Sequence, residues 1–440
     1  MDIFEASEYS YIILASAIII LSFLYNAFSE RTNIPSVLML IGTGILLHVG
    51  MDYLGLPEVE LMEVLKIVGV IGLIMIVLEA ALDLELTRDK LPIIWKSLTV
   101  AFLGLLVSTT AAAAILSYVI ADLKPVEAML YATPLSILSS AIIIPSVGNL
   151  SQTKKEFHIY ESTFSDILGI MQFYFILGLA ESTGNGSAEV GSFFGGLVLT
   201  IGVSLLASYL LILLFQNIKS HTKLFLLIAI LILLYSIGKL MHLSSLIMIL
   251  IFGLVLSNSH LFFRGRLAKW LKKEEIHRIE GDFHVVTAES AFVIRTLFFV
   301  IFGMTISLAS LLNLQVVGIS LAILVSIYLV RWLLFRIFER SGDIIPQLYI
   351  APRGLITVLL YFSIPETMAL PEADGEIFSG IMLFVIIATS LIMAFALIAE
   401  GNRKRNTEGD DLQEALVIPP EKIYEGFQSD LVEEKYPSQS

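Results

Sequence analysis

The sequence predicts an all-α polytopic membrane protein with about thirteen transmembrane helices, and three observations predict it. Of its 440 residues 57% are hydrophobic and 15% charged, against roughly 45–50% and about 25% in a soluble domain; the mean hydropathy is +0.86. Apolar runs recur at about the 20-residue length that a spanning helix needs. Lys and Arg collect in alternate loops, the pattern that sets the orientation of membrane proteins.

The spans fall at 10–28, 34–50, 61–83, 95–120, 126–148, 158–180, 191–216, 223–239, 243–258, 285–309, 314–338, 345–365 and 376–399. With the N-terminus outside, the cytoplasmic loops and their borders carry 20 basic residues, Arg88, Lys154, Arg331 and Arg403 among them. The outer loops carry two, Lys124 and Lys239. A wrong count would scramble that alternation, so the split supports number and direction together. The expected setting is a bacterial inner membrane, with the C-terminus cytoplasmic. The longest connection, 259–284, mixes Arg264, Arg266, Lys269, Lys272, Lys273 and Arg278 with apolar residues, which suits a helix lying at the membrane surface.

Residues 1–400 are expected to form the membrane domain. Residues 401–440 hold nine acidic and five basic residues and are expected to be a disordered cytoplasmic tail. Asp2, Glu5 and Glu8 lead into the first span where a signal peptide would be basic. The chain has no cysteine, which excludes disulfides, thiolate metal sites and cysteine nucleophiles. No cofactor and no nucleic-acid partner are expected, and the composition excludes a soluble hydrolase.

An ionisable side chain inside a span is costly and points to function. The candidates are Lys66, Glu79, Asp83, Glu161, Asp166, Glu289, Arg295 and Arg353. Lys66 and Asp83 lie near span ends, where snorkelling or capping accounts for them. Asp166 and Arg353 each lie eight residues in from the cytoplasmic end of their spans, a depth of roughly 12 Å at about 1.5 Å per residue. Arg295 from that side, and Ser139 and Ser140 from the other, reach the same layer.

Helix breakers mark that layer too. Pro134 and Pro145 bracket Ser139 and Ser140 in the fifth span, and Pro352-Arg353-Gly354 interrupts the twelfth. Irregular backbone at membrane depth survives only where it is buried or lines a wet cavity. Two interrupted helices at corresponding places in two halves point to a transport site. The fifth and twelfth spans run in opposite directions, as an inverted repeat of spans 1–6 and 8–13 requires.

These residues resemble motifs of the monovalent cation:proton antiporter superfamily, in its NhaP-like branch. Glu161-Ser162-Thr163-Phe164-Ser165-Asp166 is similar to that branch's G-E-S-L-L-N-D signature. Leu78 to Leu84 resembles its F-E-G-G-L-x-L stretch. Arg295 with Phe298, Phe299 and Gly303 resembles a basic residue before an F-F-x-x-x-G run, and Ala351-Pro352-Arg353-Gly354 its P-R-G signature. Two departures stand out. The fifth-span T-D-P has no full counterpart, since Thr133-Pro134 lacks the acid and Ser139-Ser140 takes the unwound step. Ser165 stands where Asn or Asp is usual.

The resemblance implies a homodimeric antiporter exchanging sodium for protons by alternating access, with potassium or lithium as alternative cations. It makes Asp166 the ion-binding carboxylate, with Ser139, Ser140, Ser162 and Ser165 as further oxygen donors. Glu161, Arg353, Arg295, Glu79 and Glu289 become the supporting charges, with Arg353 or Arg295 near Asp166 and Glu161. A channel or sensor that has kept the same fold is the rival reading; a channel would need rings of repeated polar residues.

Overall fold

The computed structural model describes residues 8–32, 34–53, 62–84, 86–120, 123–181, 186–218, 223–241, 245–263, 267–305, 313–338 and 344–416. Its elements are α1 (Glu8–Thr32), α2 (Ser36–Tyr53), α3 (Met62–Asp83), α4 (Leu91–Val119), α5 (Pro125–Ser136), α6 (Ser140–Ser146), α7 (Gln152–Glu181) and α8 (Gly186–Phe215). There follow α9 (Lys223–Leu240), α10 (Ser245–Ser257), α11 (Ser259–Phe262), α12 (Lys273–Thr305), α13 (Leu314–Phe338), α14 (Leu355–Tyr361) and α15 (Glu372–Leu416), with short 3-10 turns between some of them. Among the described residues nine helical segments are long and apolar enough to cross a membrane, one of them Pro125–Ser146 taken across its break. Helix occupies most of each expected span except 345–365. The expected spans outside those nine are four: α3, the shorter α9 and α10, and the interrupted 345–365 segment.

One expectation changes. The 259–284 connection is not a separate surface helix. From Lys273 it is the first third of α12, because Ile276, Ile279 and Phe283 recur at helical spacing and are buried. An amphipathic stripe fits a membrane surface or a protein groove equally well; here protein covers it. Arg264 and Arg266 lie outside the described residues, as does the tail beyond Leu416. The Lys66 side chain is outside them too.

The helices pack in two groups. In one, α4 lies along α5, α7 and α13, and α13 lies along α15. In the other, α12 lies along α2 and α3, and α10 along α3, α8 and α9. α2 and α12 meet backbone to backbone at Gly44 and Gly303, where a Cβ on either residue would strike main-chain atoms of the other helix. Small residues permit such approaches between membrane helices. α14 touches α3 and α12 from one group and α5 and α7 from the other.

Both predicted interruptions are present. α5 starts with Pro125 in its first turn, where a missing N–H costs nothing. It ends at Ser136, two residues beyond Pro134, and Ile137 to Ser139 are extended before α6 resumes. The second interruption runs from the turn Gln347–Tyr349 through non-helical backbone to Gly354, the N-cap of α14.

Candidate functional site

At membrane depth every main-chain group freed by a broken helix needs a partner. Here they are supplied reciprocally. The Ser139 N–H donates to the Pro352 carbonyl at 2.9 Å, so the two interruptions cross and join. The Leu138 N–H donates to the Ser165 hydroxyl at 3.0 Å, which ties the extended segment to α7. The Arg353 guanidinium donates to the carbonyls of Leu135 (2.9 Å), Ser136 (3.2 Å) and Ala351 (2.7 Å), and its own N–H donates to Thr389 Oγ1 at 3.1 Å. Arg353 is 1% exposed. It therefore neutralises the negative, carbonyl end of α5, the role expected of a cation at a helix C-terminus. Gly354 is required by proximity: a Cβ there would collide with the Ser139 side chain.

Asp166 faces this crossing from α7. It is 3% exposed and lies beside the hydroxyl and backbone of Ser140, yet neither carboxylate oxygen forms a hydrogen bond of good geometry. Buried charge is normally paired or ligated, so Asp166 has the chemistry of a group that takes up a proton or a desolvated cation. Ser139 and Ser140 are buried in the broken segment beside it. Ser162, one turn earlier on α7, donates its hydroxyl to the His158 carbonyl at 2.8 Å and keeps its oxygen lone pairs. Among the described residues no three His, Asp or Glu side chains gather to hold a metal ion. The side chain that lies against Asp166 is the Ser140 hydroxyl, a hard oxygen donor.

The supporting charges arrange themselves differently from expectation. Glu161 is held by Arg331, with Nη1–Oε1 at 2.8 Å and Nη2–Oε2 at 3.4 Å, and by His158 Nδ1 at 3.0 Å. Its arginine is not Arg353 or Arg295, because α7 and α13 present Glu161 and Arg331 to one another while Arg353 is spent on α5. Arg331 also donates to the carbonyls of Leu348 and Gln347, fixing the approach to the second interruption. Arg295 binds Glu79 at 3.0 Å and the Ala141 carbonyl of α6 at 3.0 Å. Glu289 is exposed.

Sequence reasoning missed two of these residues. Arg331 was counted with cytoplasmic loop charge although it lies inside the 314–338 span. His158 opens the sixth span three residues before Glu161, the spacing of helical neighbours. Asp83 pairs with His284 at 2.6 Å, away from the crossing.

A cavity of about 440 Å³ reaches the site from one face of the protein, lined by Asn26, Glu79, Ser140, Ala141, Glu289 and Arg295 among others. Its walls come from the C-terminal halves of α1 and α3, from α6 and from the middle of α12, and it touches Ser140, the residue beside Asp166.

The family model described as "Sodium/hydrogen exchanger, transmembrane" matches residues 17–399. No curated protein matches the chain. Among solved structures, one of the sodium proton antiporter MjNhaP1 from Methanocaldococcus jannaschii at pH 8 superposes with a TM-score of 0.67 at 20% identity, covering 88% of this chain and 100% of that one. An electron-microscopy map of the same antiporter gives 0.65 at 20% identity, covering 90% and 98%. At that identity the likeness is one of fold.

Proposed function

We propose that this chain, which belongs to the sodium/hydrogen exchanger family, exchanges sodium for protons at Asp166 by alternating access. The observation that carries the reading is the buried, unpaired carboxylate beside two crossed, broken helices. A proton and a desolvated sodium ion compete for the same oxygens, so loading one expels the other. Ser139, Ser140, Ser162 and Ser165 are the further oxygen donors in this reading, and potassium or lithium are the cations the same donors would also admit.

The loop charge supports a cytoplasmic position for the face on which the cavity opens, so this is the side from which an ion would approach the buried Asp166. Alternating access would then move the group holding α5, α6, α7 and α14 against the group holding α2, α3 and α12. Arg295 bridges the two, from α12 to the Ala141 carbonyl, so that bond must break in each cycle. The working unit would be a homodimer in a bacterial inner membrane.

The test is Asp166→Asn in proteoliposomes pulsed with sodium, lithium and potassium while internal pH is followed. The expected result is no ion-driven pH change, with melting temperature and oligomeric state unaltered. Purified Asp166→Asn protein that still moves protons on a cation pulse overturns the assignment.

A further inference from the structure

Hydroxyl groups in these helices follow a habit, and a few buried ones depart from it, Thr287, Ser320 and Ser390 among them and Thr163 one turn from Asp166. Serine and threonine in a helix commonly donate back to the carbonyl four residues earlier. Thr43 does so to Met39 at 2.8 Å, Thr133 to Met129 at 2.7 Å, Ser162 to His158 at 2.8 Å and Thr389 to Val385 at 2.7 Å. Thr163 of α7 is fully buried and its hydroxyl has no hydrogen-bond partner. The acceptor it would use, the Ile159 carbonyl, already receives the Ser162 hydroxyl at 3.2 Å. A dry, unpaired hydroxyl is destabilising, and the Ser162 hydroxyl, shared between the His158 and Ile159 carbonyls, competes for the usual local acceptor.

Its position gives that hydroxyl a purpose. Thr163 precedes Asp166 by three residues, so the two side chains share a face of α7 about 5–6 Å apart at Cβ. Helical side chains lean toward the N-terminus, which tips the Asp166 carboxylate over the turn that carries Ser162 and Thr163. The two Asp166 oxygens and the Thr163 hydroxyl one turn away are thus neighbours on α7 that all lack a well-formed hydrogen bond.

We infer that the Thr163 hydroxyl is a further oxygen ligand of the cation bound at Asp166, and that it contributes to the choice among monovalent cations. The inference rests on the exchange site proposed above. Its chemistry is that of a neutral donor: it adds a ligand without adding charge, leaving the one-proton-for-one-cation balance at Asp166 as it was. Ligand number and cavity size together select among hard cations, so removing one neutral oxygen changes cation affinity and preference while sparing the proton.

Thr163→Val keeps shape and removes the oxygen; Thr163→Ser keeps the oxygen; Thr163→Ala serves as a second deletion should valine disturb packing. Sodium- and lithium-driven proton movement is measured in proteoliposomes, and sodium-induced thermal stabilisation in detergent. Thr163→Val and Thr163→Ala should raise the sodium KM about tenfold, the change that ~1.4 kcal/mol makes. They should reduce sodium-induced stabilisation and shift the sodium-to-lithium preference, with the cation-free melting temperature not lowered by valine; Thr163→Ser should retain the parent values. A parent-like sodium KM in both deletion variants overturns the inference, as does an equal loss in Thr163→Ser. Asp166→Asn is run alongside: if it remains active the exchange-site reading itself fails, whereas an inactive Asp166→Asn with parent-like Thr163→Val removes only the role given to Thr163.

Discussion

Ser139 and Pro352 join the two interrupted helices through a single main-chain hydrogen bond of 2.9 Å, the Ser139 N–H donating to the Pro352 carbonyl. Neither group belongs to a helix, and each would otherwise be an unsatisfied polar group inside a membrane. The crossing is therefore self-completing, and Asp166 is set against it by Ser165, whose hydroxyl receives the preceding N–H, that of Leu138.

Gly354→Ala tests how tight that crossing is. The added methyl meets Ser139 Oγ and Cβ, with Ile142 close behind. Overpacking a well-filled interior costs about 1–3 kcal/mol, so the melting temperature in detergent should fall and exchange should slow. A variant as stable and as fast as the parent would mean that the two segments can separate freely.

The Glu161–Arg331 pair should show strong coupling. Removing one partner of a buried ion pair leaves the other uncompensated, at a typical cost of about 3–5 kcal/mol. Glu161→Gln and Arg331→Met should each destabilise by that order, and the double variant by clearly less than the sum. Strict additivity in the double-mutant cycle would rule out the contact. The cycle of Glu161 with Arg353 should show clearly weaker coupling, because Arg353 bonds carbonyls of α5 and acts on Glu161 only through space.

Arg353 should be hard to replace even by lysine. A guanidinium reaches three carbonyls through a planar fork, and an ammonium cannot reproduce that geometry. Thermal stability should rank parent, then Arg353→Lys, then Arg353→Gln. Equal stability of the lysine and glutamine variants would show that charge at the α5 terminus contributes nothing.

Exchange should be electrically silent. One carboxylate that holds either one proton or one cation has the same charge in both loaded forms, and the neighbouring position is the non-titrating Ser165. Moving one charge through 100 mV is worth about 2.3 kcal/mol, a large signal for any other stoichiometry. With the membrane potential clamped, the final pH gradient should be independent of voltage. A voltage-dependent gradient would mean that a second proton travels, with Glu79 as the first group to examine.

Much of this was legible in the sequence because depth is a one-dimensional quantity. Asp166, Arg353, Ser139 and Ser140 reach one layer when residues are counted from span ends, and prolines announce both breaks. Partnership is two-dimensional. Arg295, Arg331 and Arg353 all enter from the same side, so depth cannot tell which of them stands beside Glu161; that depends on which helices are neighbours. Arg331 was hidden further by its nearness to Arg336 and Arg340, which made it look like loop charge. The 273–284 stripe misled because a groove of protein and a membrane surface ask for the same periodicity.

The Gly44–Gly303 contact changes how a saturation-mutagenesis map of this protein would be interpreted. Both positions should tolerate almost no substitution, since a methyl on either helix strikes the other's main chain. In a transport-based selection they would score as severely as Asp166. A parallel screen for folded protein at the membrane would separate them: the glycine variants would vanish from it, while Asp166→Asn would persist. Positions lost from both screens mark the hinge-free weld between α2 and α12, and positions lost only from the first mark the ion's path.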